Sequence, residues 1–212
     1  MNNEASPIND LKEIRSLMER SSRFMSLSGL SGVSAGVCGL AAAFFTHWYL
    51  SREGLRDDYV SNTLDKTMEY KVIVNLFFIG VVTLFLAVGS ATYFTLRKTV
   101  RTGGRAWDTT SKRLMVNILM PLITGGIYCM ALIYHGEYGL VAPSTLVFYG
   151  LALLNGSKYT LNDIRYLGVS QIVLGIISLF YIGYGLEFWA LGFGVLHIVY
   201  GGAMWYKYDR KG

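Results

Sequence analysis

His197 is the residue whose type and position could best support chemistry in this chain. It lies in the middle of an uncharged, apolar stretch that covers residues 188–206. A neutral imidazole carries one hydrogen-bond donor and one acceptor, and a hydrocarbon environment satisfies neither of them. Gln171 and Asn117 also lie in apolar stretches and could supply the partner. We therefore predict a buried polar cluster in which His197 bonds Gln171 or Asn117. Structural hydrogen bonding is the first interpretation of this cluster, and ligand binding or a proton role is the alternative.

Signals for catalysis and for metal binding are absent from the sequence. No Asp, Glu, Lys or Arg falls inside the apolar part of a stretch, which argues against a carboxylate proton relay, a voltage sensor and a retinal Schiff base. His47 and His135 are expected roughly 15 Å from the depth of His197, which argues against a three-histidine metal site. Those two alone could share an outer metal or haem edge. Cys38 and Cys129 form no metal motif. We predict no catalytic residue, no metal, no cofactor and no enzymatic activity.

The elements that must position these residues are transmembrane helices. Of the 212 residues, 16% are charged and 52% are hydrophobic, whereas about 25% are charged in ordinary globular chains. This composition excludes a disordered chain, a disulfide-stapled secreted domain and a soluble nucleic-acid-binding protein. Uncharged stretches of about 20 residues can each cross a bilayer as a helix. We predict an all-α, polytopic bundle of six transmembrane helices, at approximately 24–50, 72–96, 114–135, 140–157, 163–184 and 187–206.

Basic residues are distributed unevenly between the connections of these spans. Of the 19 Lys and Arg residues, 15 fall before the first span, in the second and fourth connections and in the tail at 207–212, and four fall in the first connection. Because cytoplasmic loops carry the excess of Lys and Arg, we predict that both termini are cytoplasmic. The run from Arg97 to Arg113 could hold anionic lipid or the acidic surface of a partner, although the orientation rule alone also accounts for it.

The first span carries a face with almost no side chains, formed by Gly29, Gly32, Gly36 and Gly39. Helices in lipid associate through close backbone approach and dispersion. We therefore predict that these glycines pack against a neighbouring helix and that the first span is the most buried. Contact with a second copy of the chain and a ligand groove are the alternatives. In the third span, Pro121 predicts a kink, because proline frees the carbonyl four residues earlier. We place the polar cluster beside that carbonyl.

Residues 7–23 predict an amphipathic helix within a cytoplasmic or interfacial segment at 1–23. Its apolar residues recur every three to four positions, and Arg15 and Glu19 are spaced for an ion pair. Such a helix could cap the bundle or bind a cytoplasmic protein. Arg23, Arg113 and Arg165 open the first, third and fifth spans in similar contexts. This pattern predicts three helical hairpins entered from the cytoplasm, either as a true repeat or through shared interface chemistry.

The segment Ile8–Gly32 reads INDLKEIRSLMERSSRFMSLSGLSG. It resembles the start of uncharacterised six-helix integral membrane proteins of Bacteroidota, a family with no assigned activity. The likeness is most specific over residues 8–36 and looser afterwards. It implies a six-helix membrane protein, and it transfers no catalytic residue.

Two classes of function fit these observations. The first is a non-enzymatic inner-membrane protein that senses or binds a small apolar ligand or a lipid, or that regulates a cytoplasmic partner through 7–23. The second is a small uncoupled transporter or channel whose path is lined by Asn117, Gln171 and His197. A continuous polar cavity open to one side would favour transport, and a dry bundle with a detached N-terminal helix would favour regulation. The expected partners are membrane lipids, a cytoplasmic protein or further copies of the chain, and not nucleic acid.

Overall fold

The computed structural model describes residues 27–54, 66–101 and 108–210, and every regular element within these ranges is helical. We number the six helices in these ranges in chain order: α1, Gly29–Arg52; α2, Lys66–Arg101; α3, Thr109–Tyr134; α4, Val141–Gly156; α5, Asn162–Leu179; and α6, residues 185–209. Short 3₁₀ turns lie before α4, after α4 and before α6, at Tyr138–Leu140, Ser157–Tyr159 and Ile182–Tyr184.

The predicted fold class, an all-α bundle, is confirmed. Five of the six described helices are long and apolar enough to cross a membrane, and α5 is the exception. It has only 18 residues, and its start holds Asn162, Asp163 and Arg165. These five helices therefore have the length and composition of membrane spans, and the number of six spans stays a prediction.

Helix bounds differ from the predicted spans mainly at α2 and α5. α2 has 36 residues and continues beyond the predicted 72–96 at both ends, because charged residues stop a helix from entering hydrocarbon but not from extending into water. α5 ends at Leu179 rather than at 184, and the chain then forms a 3₁₀ turn. The predicted amphipathic helix at 7–23, and the whole segment 1–23, lie outside the described residues.

The helices pack as two groups of three. α1 lies between α2 and α6, and α4 lies between α3 and α5, while α6 also contacts α4 and α5. Only 6% of the apolar stretch of α2 and 11% of that of α3 are buried, against 33% for α1 and 39% for the stretch that contains α4. The prediction that the first span is the most buried is therefore wrong. α4 is more buried because it has three neighbouring helices, and α1 has two.

Polar side chains tie three helix ends together at one end of the bundle. One carboxylate oxygen of Asp209, the last residue of α6, accepts hydrogen bonds from the Ser28 hydroxyl and the Gly29 amide, both at 2.9 Å. Lys98, near the end of α2, places its ammonium 2.7 Å from the other oxygen. The start of α1 therefore meets the ends of α2 and α6, as an up-and-down bundle requires. The orientation of this end in the membrane stays a prediction.

Candidate functional site

The glycine face of α1 lies directly against the backbone of α6. A Cβ atom on Gly36 would lie 2.7 Å from the carbonyl oxygen of Gly194, and one on Gly39 would lie 2.5 Å from that of Phe193. Gly32 and Gly29, about one and two turns before Gly36 on α1, meet α6 at Gly201 and Trp205. Because real Cβ atoms do not approach so closely, glycine is what lets the two backbones touch. The four predicted packing glycines therefore share one partner within the chain.

α6 departs from regular α-helix just before His197. Residues Ala190–Leu196 form a π-helical segment, and the chain returns to α-helix at His197–Met204. Such segments occur mostly as single turns within α-helices and often mark functional sites. Gly192 lies inside the segment, and a Cβ there would lie 2.6 Å from Oε1 of Gln171 on α5. The missing side chain at 192 therefore allows α6 to approach Gln171.

His197 sits in a buried polar cluster that joins α4, α5 and α6. Its Nδ1 lies 2.9 Å from the carbonyl oxygen of Gly192, and its Nε2 lies 2.8 Å from the hydroxyl of Tyr149 on α4. The Gly192 carbonyl can only accept, so Nδ1 carries the proton and Nε2 accepts the hydrogen bond that Tyr149 donates. His197 is 5% exposed and Gln171 is fully buried. The predicted proximity of His197 and Gln171 is thus present in the structure.

Gln171 completes the cluster on the α5 side. Its amide nitrogen donates to the Gly192 carbonyl at 2.8 Å and lies 3.4 Å from Nδ1 of His197. Since that Nδ1 already donates to Gly192, the 3.4 Å approach is a contact between two donors rather than a hydrogen bond. Oε1 of Gln171 is buried and has no hydrogen-bond partner among the described residues. One acceptor in the cluster therefore remains unsatisfied.

Aromatic rings close the rest of the space around the imidazole. The ring of Phe193 stacks on that of His197, with centroids 5.9 Å apart and an interplanar angle of 12°. Tyr149 and Trp189 pack against Phe193, with centroids at 4.9 Å and 4.8 Å. The cluster is thus filled by its own side chains. It can hold α4, α5 and α6 in register, but its polar atoms face one another rather than a cavity.

Asn117, the third predicted site residue, does not belong to this cluster. It lies on α3, where its side chain donates to the carbonyl of Arg113 at 2.8 Å. The backbone carbonyl of Asn117, four residues before Pro121, accepts a hydrogen bond from the side-chain amide of Asn155 on α4 at 2.9 Å. The carbonyl freed by Pro121 is therefore satisfied by α4, and the cluster around His197 lies elsewhere.

An apolar groove lies next to this proline, between α3 and α4. Its volume is about 530 Å³, and it is open rather than enclosed. We call it the α3–α4 groove, and its lining residues are Met120, Pro121, Thr124, Phe148, Leu151, Leu154, Asn155 and Lys158. Two of its polar side chains are already engaged: Thr124 donates to the carbonyl of Met120, and Asn155 to that of Asn117. The lining is thus mostly hydrocarbon, with a cation at one end.

The sequence did not predict a role for Tyr149, Gly192 or Asn155. One sequence pattern, however, indicates the pairing of Gln171 with His197. Segments 168–175 and 194–201 share Gly, Val, Ile, Val and Gly at the same positions. Gln171 and His197 occupy the same position within these two segments. An alignment of α5 with α6 therefore pairs the two residues that meet in the structure. The predicted repeat of three hairpins uses another alignment and stays a prediction.

Metal chemistry has no support in the described parts of the chain. Among residues 27–54, 66–101 and 108–210, no group of three or more His, Cys, Asp or Glu side chains is arranged to hold a metal ion. No protein-family model, no curated protein and no solved structure matches this chain. The geometry of the cluster and of the groove is therefore what bears on function.

Proposed function

We propose that the protein is a non-enzymatic protein of the bacterial inner membrane that binds a lipid-like, apolar ligand in the α3–α4 groove. The observation that carries the proposal is the groove itself, which has about 530 Å³ of space and a largely apolar lining. Ligand sites in proteins typically have volumes of about 300–1,000 Å³ and are lined mostly by apolar side chains. A groove of this size and chemistry suits an acyl chain better than it suits a polar solute.

The polar cluster around His197 supports this choice because its polar atoms do not line a path for a polar solute. Tyr149 bonds His197, His197 and Gln171 both bond the Gly192 carbonyl, and the ring of Phe193 stacks on the imidazole. Asn117, the third residue of the hypothetical transport path, lies on α3 and bonds Arg113. The three residues therefore do not line one path, and transport has no specific observation in its favour. A regulatory role for 7–23 also stays a prediction, because that segment lies outside the described residues.

The test fills the groove and measures lipid binding. Leu151 lines the groove and is 40% exposed, and Leu119 lies on another face of α3 and is 44% exposed. Leu151→Trp and Leu119→Trp therefore make the same chemical change at similar exposure, one inside the groove and one outside it. Purified protein in neutral detergent is titrated with dioleoylphosphatidylglycerol and with dioleoylphosphatidylcholine, and native mass spectrometry measures the bound lipid.

The expected result is a selective loss of binding in the filled variant. Leu151→Trp should weaken the tightest binding of both lipids by about tenfold, since a bulky ring in an occupied site costs about 1–3 kcal/mol. Leu119→Trp should bind both lipids like the wild type. If the two variants behave alike, the bound lipid covers the apolar surface at large and the groove is not a site.

A further inference from the structure

The two ends of the α3–α4 groove differ in chemistry. Phe148 packs against Gly125 in the middle of α3, and a Cβ on Gly156 would touch Leu114 and Ile118 near the start of α3. The groove thus runs along α4 from the middle of the bundle toward one end, where Lys158 lines it. Ten residues separate Phe148 from Lys158, about 15 Å along a helix. This length is about half of a hydrocarbon core of roughly 30 Å, so the groove spans one leaflet.

Lys158 is a cation at the end of this groove. It lies in the 3₁₀ turn Ser157–Tyr159 that follows α4, and it is exposed. No hydrogen bond or ion pair joins it to another residue within the described ranges. Lys112 and Arg113 lie at the same end, directly before the Leu114 that borders Gly156. The nearest acid on that helix, Asp108, is occupied by hydrogen bonds from the amide and hydroxyl of Ser111.

We infer that the ligand of the groove is an anionic glycerophospholipid, with one acyl chain between α3 and α4 and its phosphate on Lys158. This inference rests on the proposed lipid-binding function and names the class of lipid. An ammonium group at the level of the headgroups attracts anionic lipid, and each such charge near the surface strengthens binding by about fivefold. The apolar lining holds the chain, and the charge of Lys158 together with its neighbours selects the headgroup.

The experiment compares the two lipids used above on Lys158→Gln. This change removes the charge and keeps most of the side-chain length. In the wild type, phosphatidylglycerol should bind more tightly than phosphatidylcholine. Lys158→Gln should weaken phosphatidylglycerol binding by about fivefold and leave phosphatidylcholine binding within about twofold. The matched control is Arg210→Gln, which removes an exposed charge directly after α6 and should change neither affinity.

Each outcome separates the inference from the proposed function. Equal affinities for the two lipids in the wild type, or equal losses of both in Lys158→Gln, would overturn the headgroup assignment. If Leu151→Trp still weakens both lipids in that case, the groove binds lipid without choosing the headgroup. A loss in Arg210→Gln as large as that in Lys158→Gln would show that the total charge of the protein, and not this site, attracts phosphatidylglycerol.

Discussion

The interface between α1 and α6 and the interface between α4 and α5 are built from matching contacts. A Cβ on Gly36 of α1 would lie 2.7 Å from the carbonyl oxygen of Gly194 and 2.7 Å from Cγ1 of Ile198, four residues after Gly194. A Cβ on Gly150 of α4 would lie 2.7 Å from the carbonyl oxygen of Gly168 and 2.7 Å from Cγ1 of Ile172, again four residues later. Both pairs of helices are antiparallel. The same close approach therefore occurs twice in one chain.

The two interfaces differ in the residue that precedes the central glycine. On α4 it is Tyr149, which bonds His197, whereas on α1 it is Ala35, which has no polar side chain. The α1–α6 interface reaches the same backbone approach without that hydrogen bond. Close packing in this protein thus depends on glycine, and the polar cluster is an addition on one side. The predictions below test this separation.

Adding a methyl group at either central glycine should have the largest effect. Gly36→Ala and Gly150→Ala should each destabilise the protein by about 1–3 kcal/mol, because the new Cβ would overlap a backbone carbonyl that cannot turn away. The two losses should be similar. Thermal unfolding in detergent measures them through the shift of the midpoint.

Gly126→Ala and Gly202→Ala are the matched controls for this change. Both glycines are helical, and a Cβ on either would meet nothing within 4 Å. Alanine favours helix more than glycine does by about 1 kcal/mol, so these variants should be as stable as the wild type or more so. Similar melting of all four variants would contradict the close approach at both interfaces.

Removing the Asp209 carboxylate should distinguish the ends of the two interfaces. Asp209→Ala deletes the acceptor for Ser28 and Gly29 and removes the ion pair with Lys98, so we expect a loss of about 1–2 kcal/mol. The comparison is Asp163→Ala at the start of α5. Asp163 accepts a hydrogen bond from the Tyr208 hydroxyl at 2.7 Å and meets the exposed Lys207. We expect Asp163→Ala to lower the stability less than Asp209→Ala does. A larger loss of stability for Asp163→Ala would contradict this prediction.

Tyr149→Phe should have a smaller effect, and it tests the cluster alone. It leaves Nε2 of His197 without a donor while keeping the ring that packs on Phe193. Side-chain hydrogen bonds within membrane proteins average about 0.6 kcal/mol, so the unfolding midpoint should fall slightly and the glycine contacts should persist. Tyr200→Phe is the control, since its hydroxyl makes a longer contact of 3.3 Å with Ser170. Global unfolding of Tyr149→Phe would show that the cluster and the packing are not separable.

A change outside both interfaces gives the smallest effect and includes a pH dependence. Asp108 caps the start of α3, and the backbone amide of Ser111 lowers the pKa of its carboxyl below the usual value. Because the pKa is lower in the folded protein, the stabilisation is present above the unfolded pKa of about 4 and is lost as the pH falls through the folded value. The unfolding midpoint of Asp108→Asn should therefore lie slightly below that of the wild type near about pH 7, and the difference should shrink on acidification. A constant difference would contradict the assignment.

The sequence predicts the helices and part of the cluster for identifiable physical reasons. Uncharged stretches are long enough to locate the apolar helices, and the glycines of α1 indicate where a backbone can approach. His197 and Gln171 stand out because polar groups in hydrocarbon need partners. Asn117 was grouped with them by the same argument, but its nearest acceptor was on its own helix, at Arg113.

The remaining features depend on which helices are neighbours. The pattern of apolar residues along a membrane-spanning helix does not indicate its neighbours. Both the buried and the lipid-facing sides of these helices are apolar, so the sequence pattern does not show that α4 has three neighbours. Tyr149 resembles any aromatic residue of a membrane span until α6 is placed beside it. The α3–α4 groove likewise forms only because α3 and α4 pack side by side, and the sequence does not indicate that they are neighbours.

The π-helical segment of α6 has a consequence at the level of the coding sequence. A π turn holds one more residue than an α turn between its bonded groups, so the segment is equivalent to the insertion of one codon into an α-helix. Each residue of an α-helix turns the chain by about 100°. Deleting one codon between 190 and 196 would be expected to convert the segment Ala190–Leu196 into regular α-helix. The residues before the deletion, Trp189 among them, would then be out of phase by about 100° with those after it. One codon thus sets the angle between the start of α6, which packs mainly against α4, and residues 190–204, which pack against α1.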